Sequence, residues 1–292
     1  MTISQSLCWK SSKELRYHVF SSLKYLGVNP TKIRSQNFLI DSNIIKYQIE
    51  KAGINQEDIV LEIGGGLASL TKCLAEKAKK VYCIELDKIF SKFLRDYFST
   101  YNNVEIISGD ALKIEWPSFS KSVSNLPYQI SSPITFKLLE QSFQVAVLMY
   151  QKEFAERLFA EPGSKNYSRL SVMVKLKGKV KYLKTINEHS FYPQPKVKSA
   201  LVEIKPLNRE LNLDIIQFGE FVTNLFTLKG KTVRSALKIN FKNTFSSLSE
   251  KEKEKLEKLP FIHRRIFSLT QNELIELYNE ILRAGWYSSE RH

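Results

Sequence analysis

A chain of 292 residues, 43% hydrophobic and 25% charged, has room for about two domains and a sizeable core. It holds no run of roughly 18 apolar residues that would span a bilayer, and its first residues lack the apolar stretch of a secretion signal. Three cysteines (Cys8, Cys73, Cys83) are too few and too scattered for a disulfide framework or a zinc site, and four histidines show no ligand spacing, so the chain is expected to be cytoplasmic, metal-free and without a membrane partner; a monomer is expected as well.

In chain order, a helix is predicted over about 12–26. "DSNIIKYQIEKAG" predicts a second, with Asp41 as N-cap, Ile44, Ile45 and Ile49 as its apolar side and Gly53 as its stop. Strands and helices then alternate. "DIVLEIG" leads into "LASLTKCLAEKAK", "VYCIEL" into "KIFSKFLRDYF", and "VEIIS" ends at "GDAL". "KSVSN" runs into "LPYQ", "SPITFKLLEQ" is helical, and "VAVLMYQ" is a further buried strand. Apolar strands joined by helices define an α/β fold, a mostly parallel sheet covered on both faces. From about residue 208 only short helices are predicted ("FGEFVTNLFT", "TVRSALKIN", "SEKEKEKLEKL", "TQNELIELYNEILRAG"), which divides the chain into a sheet domain, 1–206, and a small helical domain, 207–292.

The net charge is +14, and residues 207–292 carry only +3 of it, with 14 basic and 11 acidic residues. Such an excess favours a polyanionic or anionic-surface partner. Residues 165–184 hold seven basic residues and no acid. Within them "VMVKLKGKVKYLK" spaces Lys175, Lys177, Lys179 and Lys181 two apart, which on a strand would align all four on one face. Lysines on an exposed strand also guard a sheet edge against pairing; the absence of acids favours a nucleic-acid surface.

In open parallel sheets, ligands bind beyond the carboxyl ends of the strands. Four loops fall there. "EIGGGLASLT" brings Gly64, Gly65 and Gly66, which let the backbone approach a ligand closely. Glu85 follows Gly64 by 21 residues, the spacing of a carboxylate that grips ribose hydroxyls. Asp110, in "SGDAL", is placed to accept from a nucleobase amine, and Asn125 ends the fourth strand. A dinucleotide fingerprint would need glycine where Ser69 stands, and Glu62 before the glycines suits a cationic ligand better than a phosphorylated one. The three cofactor loops fit S-adenosylmethionine, with its sulfonium, ammonium, ribose and adenine.

"SNLPYQISSP" completes the set. The Asn125 side-chain oxygen and the Leu126 carbonyl can accept the two hydrogens of an adenine amine. Leu126 is held extended by the proline after it, Pro127 offers no competing N–H, and Tyr128 gives the ring a face for stacking. A hairpin turn is the alternative reading of these residues.

These stretches, with "RSQNFL", "FYPQPKVKSALVEIKP" and "GKTVRSAL", resemble the KsgA-type ribosomal RNA small-subunit adenine N6,N6-dimethyltransferase family from about Lys32 to about Leu237. The resemblance implies a Rossmann-like methyltransferase sheet, S-adenosylmethionine as cofactor, and two adjacent adenosines in a 3′-terminal hairpin loop of small-subunit ribosomal RNA as substrate, free or in a pre-ribosomal particle. It places Asn37, Leu39, Gly64, Gly66, Glu85, Asp110 and Asn125 at the methyl donor. Asn125, Leu126, Pro127 and Tyr128 form the catalytic loop, with Phe191 as the second aromatic wall of the base pocket. Gly65 stands where such enzymes often have proline, which should loosen the turn. The stretch before Lys32 is longer than the family's usual start and has no assigned role. Two other functions share the fold: a large-subunit adenine methyltransferase conferring antibiotic resistance, and a non-catalytic RNA-binding or transcription factor. The acceptor pair and Glu85 speak against the latter, since a pure binder needs neither.

Overall fold

A computed structural model describes residues 8–29, 37–207, 212–240 and 249–286. The first half of "RSQNFL" and the last residues of the chain lie outside them. Packing gathers the chain into two compact units, Met1–Ala155 with Gly178–Pro206, and Glu156–Lys177 with Leu207–His292.

The first unit opens with α1 (Ser12–Tyr25), capped by Ser11, whose hydroxyl accepts from the Glu14 N–H. After β1 (Phe38–Leu39), α2 (Ser42–Ala52) begins at Asp41, whose carboxylate accepts from the Asn43 N–H, and ends at Gly53 with φ 59°. Both termini fall where the capping pattern predicts. The alternating stretches follow as β2 (Ile59–Ile63), α3 (Thr71–Lys77), β3 (Lys80–Glu85), α4 (Lys88–Tyr97), β4 (Val104–Ser108), β5 (Lys121–Asn125), α5 (Ser131–Leu138) and β6 (Val145–Gln151). The predicted third helix starts later than "LASL" suggests, because Ala68 turns left-handed, with φ 65°.

Two further helices follow in chain order, α6 (Lys152–Leu158) and α7 (Arg169–Lys177), then the strands β7 (Gly178–Ile186), β8 (Phe191–Tyr192) and β9 (Ser199–Pro206). The seven-stranded sheet has the order β4-β3-β2-β5-β6-β9-β7. Its first five strands are parallel, and β9 and β7 complete it antiparallel. The chain adds β3 and β4 on one side of β2, then returns to add β5 and β6 on the other. The order therefore reverses between β2 and β5, the point where such sheets hold ligands. A separate pair, β1 with β8, sets Leu39 beside Phe191.

The lysine stripe does not form as one strand face. Lys175 and Lys177 end α7, and only Lys179 and Lys181 lie on β7. The helix wins upstream because Leu170, Val172, Met173, Val174 and Leu176 are all buried there, a wider apolar surface than one strand face offers. Lys175 pairs with Glu161 at 2.7 Å and donates to the Ala160 carbonyl. Lys179 and Lys181 are exposed on a strand at the edge of the sheet, and Lys181 stands opposite Glu203.

Cysteine also departs from expectation. Cys8 and Cys73, 65 residues apart in sequence, form a disulfide, while Cys83 is free and buried. A scan of spacings cannot find this bond, because the fold of the chain brings the two residues together.

The second unit packs α7 against α8 (Ile215–Phe226), with α9 (Val233–Asn240), α10 (Glu250–Glu257) and α11 (Gln271–Arg283) completing it. Residues 156–177 belong with these helices, so a single boundary after residue 206 describes only part of the grouping. Among the described residues, this unit has no strand beyond an isolated bridge between Thr232 and Arg265.

Candidate active site

A cleft opens at the reversal between β2 and β5. Asn37, Leu39, Gly64, Gly66, Glu85, Asn125, Leu126, Pro127, Tyr128 and Phe191 all line it. Of the predicted site residues only Asp110 does not. It lies just past the end of β4, and its carboxylate accepts from the Leu112 N–H at 2.9 Å.

The glycine turn forms one wall. Gly64 (φ 85°) and Gly66 (φ 52°) both occupy the left-handed region that side chains disfavour. Gly65 is required for another reason: a Cβ there would stand 2.3 Å from the Cys83 sulfur and 2.9 Å from Leu94 Cδ1. Its neighbours therefore fill the space that a proline ring would need, and glycine tightens this turn against the sheet. At the end of β3, Glu85 bridges its own loop to the turn, accepting from the Gly66 N–H and the Asp87 N–H at 2.9 Å each. Each oxygen keeps lone-pair capacity for a further donor.

Glu62 lines the same wall, 1% exposed on β2. Its Oε2 has no hydrogen-bond partner among the described residues. Burial, opposed by the Thr71 hydroxyl and the Cys83 thiol beside it and aided by the nearby Glu85 carboxylate, pushes its pKa up to about 8. A buried carboxyl with an unsatisfied oxygen is costly in a ligand cleft unless a cation can reach it. The charge and hydrogen-bonding demands of S-adenosylmethionine fit this wall: a buried carboxyl at Glu62, an acceptor at Glu85, and a backbone that glycines leave bare.

The opposite wall is the loop after β5. Leu126 is buried, and Pro127 holds an extended backbone with φ −59° and ψ 123°. Tyr128 is fixed by a 2.6 Å hydrogen bond between its hydroxyl and that of Ser199 on β9, and burial raises its phenol above the usual range. Phe191 enters the cleft from β8, held in place by the β1 pairing.

The sequence reading overlooks Gln48. Fully buried on α2, it donates from Nε2 to Asn125 Oδ1 at 2.9 Å. This contact holds the Asn125 amide in one orientation and leaves its oxygen a second lone pair. A polar residue among Ile44, Ile45 and Ile49 is the signal that could have found it. Phe38, Leu70 and Met149 add apolar lining that hydrophobicity alone cannot separate from core.

Residues 30–264 match the family described as ribosomal RNA adenine dimethylase. A protein named "Probable ribosomal RNA small subunit methyltransferase A" from Thermococcus kodakarensis is 42% identical over 273 residues, spanning 93% of this chain and 97% of its own. Its namesake from Pyrococcus abyssi is 44% identical over 269 residues, with 92% and 98% covered. Among solved structures, a dimethyladenosine transferase from Plasmodium falciparum superposes with TM-score 0.74 at 36% identity, covering 85% of this chain and 98% of that one. The 23S rRNA methyltransferase ErmE superposes with TM-score 0.62 at 25% identity, covering 84% and 99%. With the glycine turn, Glu85 and the asparagine–proline loop all brought to one cleft, and with relatives matched nearly end to end, this chain belongs to the ribosomal RNA adenine dimethylase family.

Proposed function

We propose that the protein transfers methyl groups to the exocyclic amines of two adjacent adenosines in a 3′-terminal hairpin loop of small-subunit ribosomal RNA, dimethylating each. The observation that carries this reading is the placement of Asn125, Leu126, Pro127 and Tyr128 on the same cleft as Gly64, Gly66 and Glu85, across the reversal of strand order. Names borne by relatives at 42–44% identity support the small-subunit substrate.

When bound, S-adenosylmethionine supplies an electrophilic methyl carbon carried on a sulfonium. Glu85 would take its ribose hydroxyls, Gly64 and Gly66 would let the backbone lie against it, and Glu62 would answer its positive charge. Asn37 and Leu39 would border it from β1 and the residue before.

On the substrate side, Asn125 Oδ1 and the Leu126 carbonyl accept the two amine hydrogens of an unpaired adenine. Tyr128 and Phe191 offer aromatic faces for its ring, the usual way in which splayed RNA bases are gripped. The amine is a poor nucleophile because its lone pair is delocalised into the ring. Aim therefore matters most, and positioning supplies at most about 7–11 kcal/mol of such a barrier. As positive charge develops on the amine nitrogen, both acceptor dipoles become more favourable. An asparagine suffices because no proton has to leave before the transfer.

The test is incubation with isotopically labelled methyl donor and with each purified ribosomal RNA and pre-ribosomal particle, followed by mass mapping. Two adjacent dimethylated adenosines in small-subunit RNA are expected. Label confined to large-subunit RNA, or RNA binding without label, overturns the reading.

A further inference from the structure

The segment before the sheet, Cys8 to Leu26, runs against the glycine turn. Two of its side chains end on backbone oxygens there: Trp9 Nε1 donates to the Ser69 carbonyl at 2.7 Å, and His18 Nε2 lies 2.6 Å from the Leu67 carbonyl. Since a carbonyl only accepts, His18 carries its proton on Nε2. Burial lowers the His18 pKa, which keeps the ring neutral.

Between the two gripped carbonyls sits Ala68, a non-glycine residue with φ 65° and no exposed surface. An alanine in the left-handed region persists only where its surroundings over-determine it. The flanking residues, Leu67 and Ser69, line the cleft. The Trp9 and His18 rings pack together with centroids 4.6 Å apart, and the Lys72 ammonium lies 3.9 Å from the Trp9 ring centroid. The Cys8–Cys73 disulfide ties the start of the segment to α3, the helix that follows the turn, and the Cys8 N–H donates to Glu76.

We infer that residues 8–26 form a strap that holds the methyl-donor turn in its strained, binding-ready shape, with Trp9 and His18 as positioning residues for donor affinity. The inference rests on the donor assignment proposed above. Without the strap, Ala68 relaxes toward an ordinary conformation, and donor binding must rebuild the turn at the expense of affinity. The RNA-facing loop after β5 makes no part of the Trp9 and His18 contacts, so these two residues act on donor binding, while Phe20 of the same segment packs on Tyr192, the neighbour of Phe191.

The experiment uses the full chain and S-adenosylhomocysteine, the stable product form of the donor, in calorimetric titration. Wild-type binding tests the donor assignment itself; absence of binding there sinks that assignment, separately from the strap. Trp9→Phe keeps an aromatic ring but removes the N–H, and is expected to weaken binding about fivefold, the share of one hydrogen bond. His18→Phe should do likewise, and His18→Gln, which keeps a donor, should recover most of the loss. Turnover at saturating donor should fall less than about twofold, since the donor-bound turn has its native shape. The decisive comparison is the Ala68→Gly background, where the left-handed turn costs little. There the Trp9→Phe penalty should shrink below about twofold. An equal penalty in both backgrounds, or unchanged affinity in Trp9→Phe and His18→Phe proteins that melt as single folded species, overturns the strap.

Discussion

The turn after β2 and the loop after β5 lie at the carboxyl ends of adjacent parallel strands, yet they hold their shapes by different means. The β5 loop is mostly local: Pro127 sets its own φ and constrains Leu126 before it, with Gln48 and Ser199 adding one outside contact each. The β2 turn is held from afar. Cys83 and Leu94 fill the space beside Gly65, Glu85 reaches over from β3 to Gly66, and Trp9 and His18 grip the carbonyls on either side of Ala68. On the proposed assignment, a local loop suits the aiming of a nucleophile, while a turn built from remote contacts would couple donor affinity to the packing around β2 and β3. Substitutions in the loop should therefore change turnover, and those around the turn should change donor binding.

The largest expected effect breaks the loop side. Asn125→Ala removes one of two acceptors whose hydrogen bonds strengthen as charge develops, so single-turnover methylation at saturating RNA and donor should slow on the order of 100- to 1,000-fold. It also leaves Gln48 Nε2 without its acceptor, so a melting curve must accompany the rate. A near wild-type rate would make Asn125 a turn residue only.

Next comes the donor side. Glu85→Ala removes a charged acceptor for ribose hydroxyls, with each such bond worth about 1.5–3 kcal/mol, and should weaken donor binding on the order of 100-fold while RNA affinity stays nearly constant. Unaltered donor affinity in calorimetry would refute the assignment.

Glu62 sharpens the comparison through pH. The free carboxyl ionises near 4.5 and the folded one at about 8. A raised acid pKa means that its contribution to stability is complete below about 4.5 and is lost as pH rises through about 8. Glu62→Gln should accordingly flatten the fall in stability across that window. A cationic donor favours the carboxylate, so donor binding below pH 8 should release up to about one proton and tighten as pH rises, by at most about tenfold per pH unit. Titrations in buffers of different ionisation enthalpy would count that proton, and Glu62→Gln should abolish it.

The smallest effect belongs to neither wall. Lys179→Gln with Lys181→Gln should lower the slope of log affinity for RNA against log salt by about 0.7–0.9 for each phosphate that is no longer neutralised. An unchanged slope would leave these lysines as guards of the β7 edge.

Much of the fold is legible in the sequence because its signals are local. Asp41 and Gly53 bound α2 through their own capping chemistry, and apolar runs mark β2, β3, β4 and β6 without any knowledge of packing, whereas β5 (KSVSN) has a single apolar residue and is marked by the asparagine–proline loop that follows it. That Glu85 and the loop after Asn125 meet at one cleft is readable because a parallel sheet delivers strand ends to one edge, whatever its detailed packing. The lysine run misleads, since period two in charge carries less weight than five buried apolar residues, and Lys175 and Lys177 fall in a helix. Asp110 keeps its place in the chain but lies outside the cleft lining.

Residue types and spacings by themselves determined the alternation of strands and helices, the ligand edge and the asparagine–proline loop, because each follows from backbone preferences acting over a few residues. Only the tertiary structure decided that Gln48 orients Asn125, that Cys8 meets Cys73, that Gly65 is demanded by Cys83, and that the opening segment grips the turn after β2. Those contacts join residues well apart in the chain, up to the 77 positions between Gln48 and Asn125. At such separations the meeting of two side chains is set by how the sheet and helices pack, which no local pattern encodes.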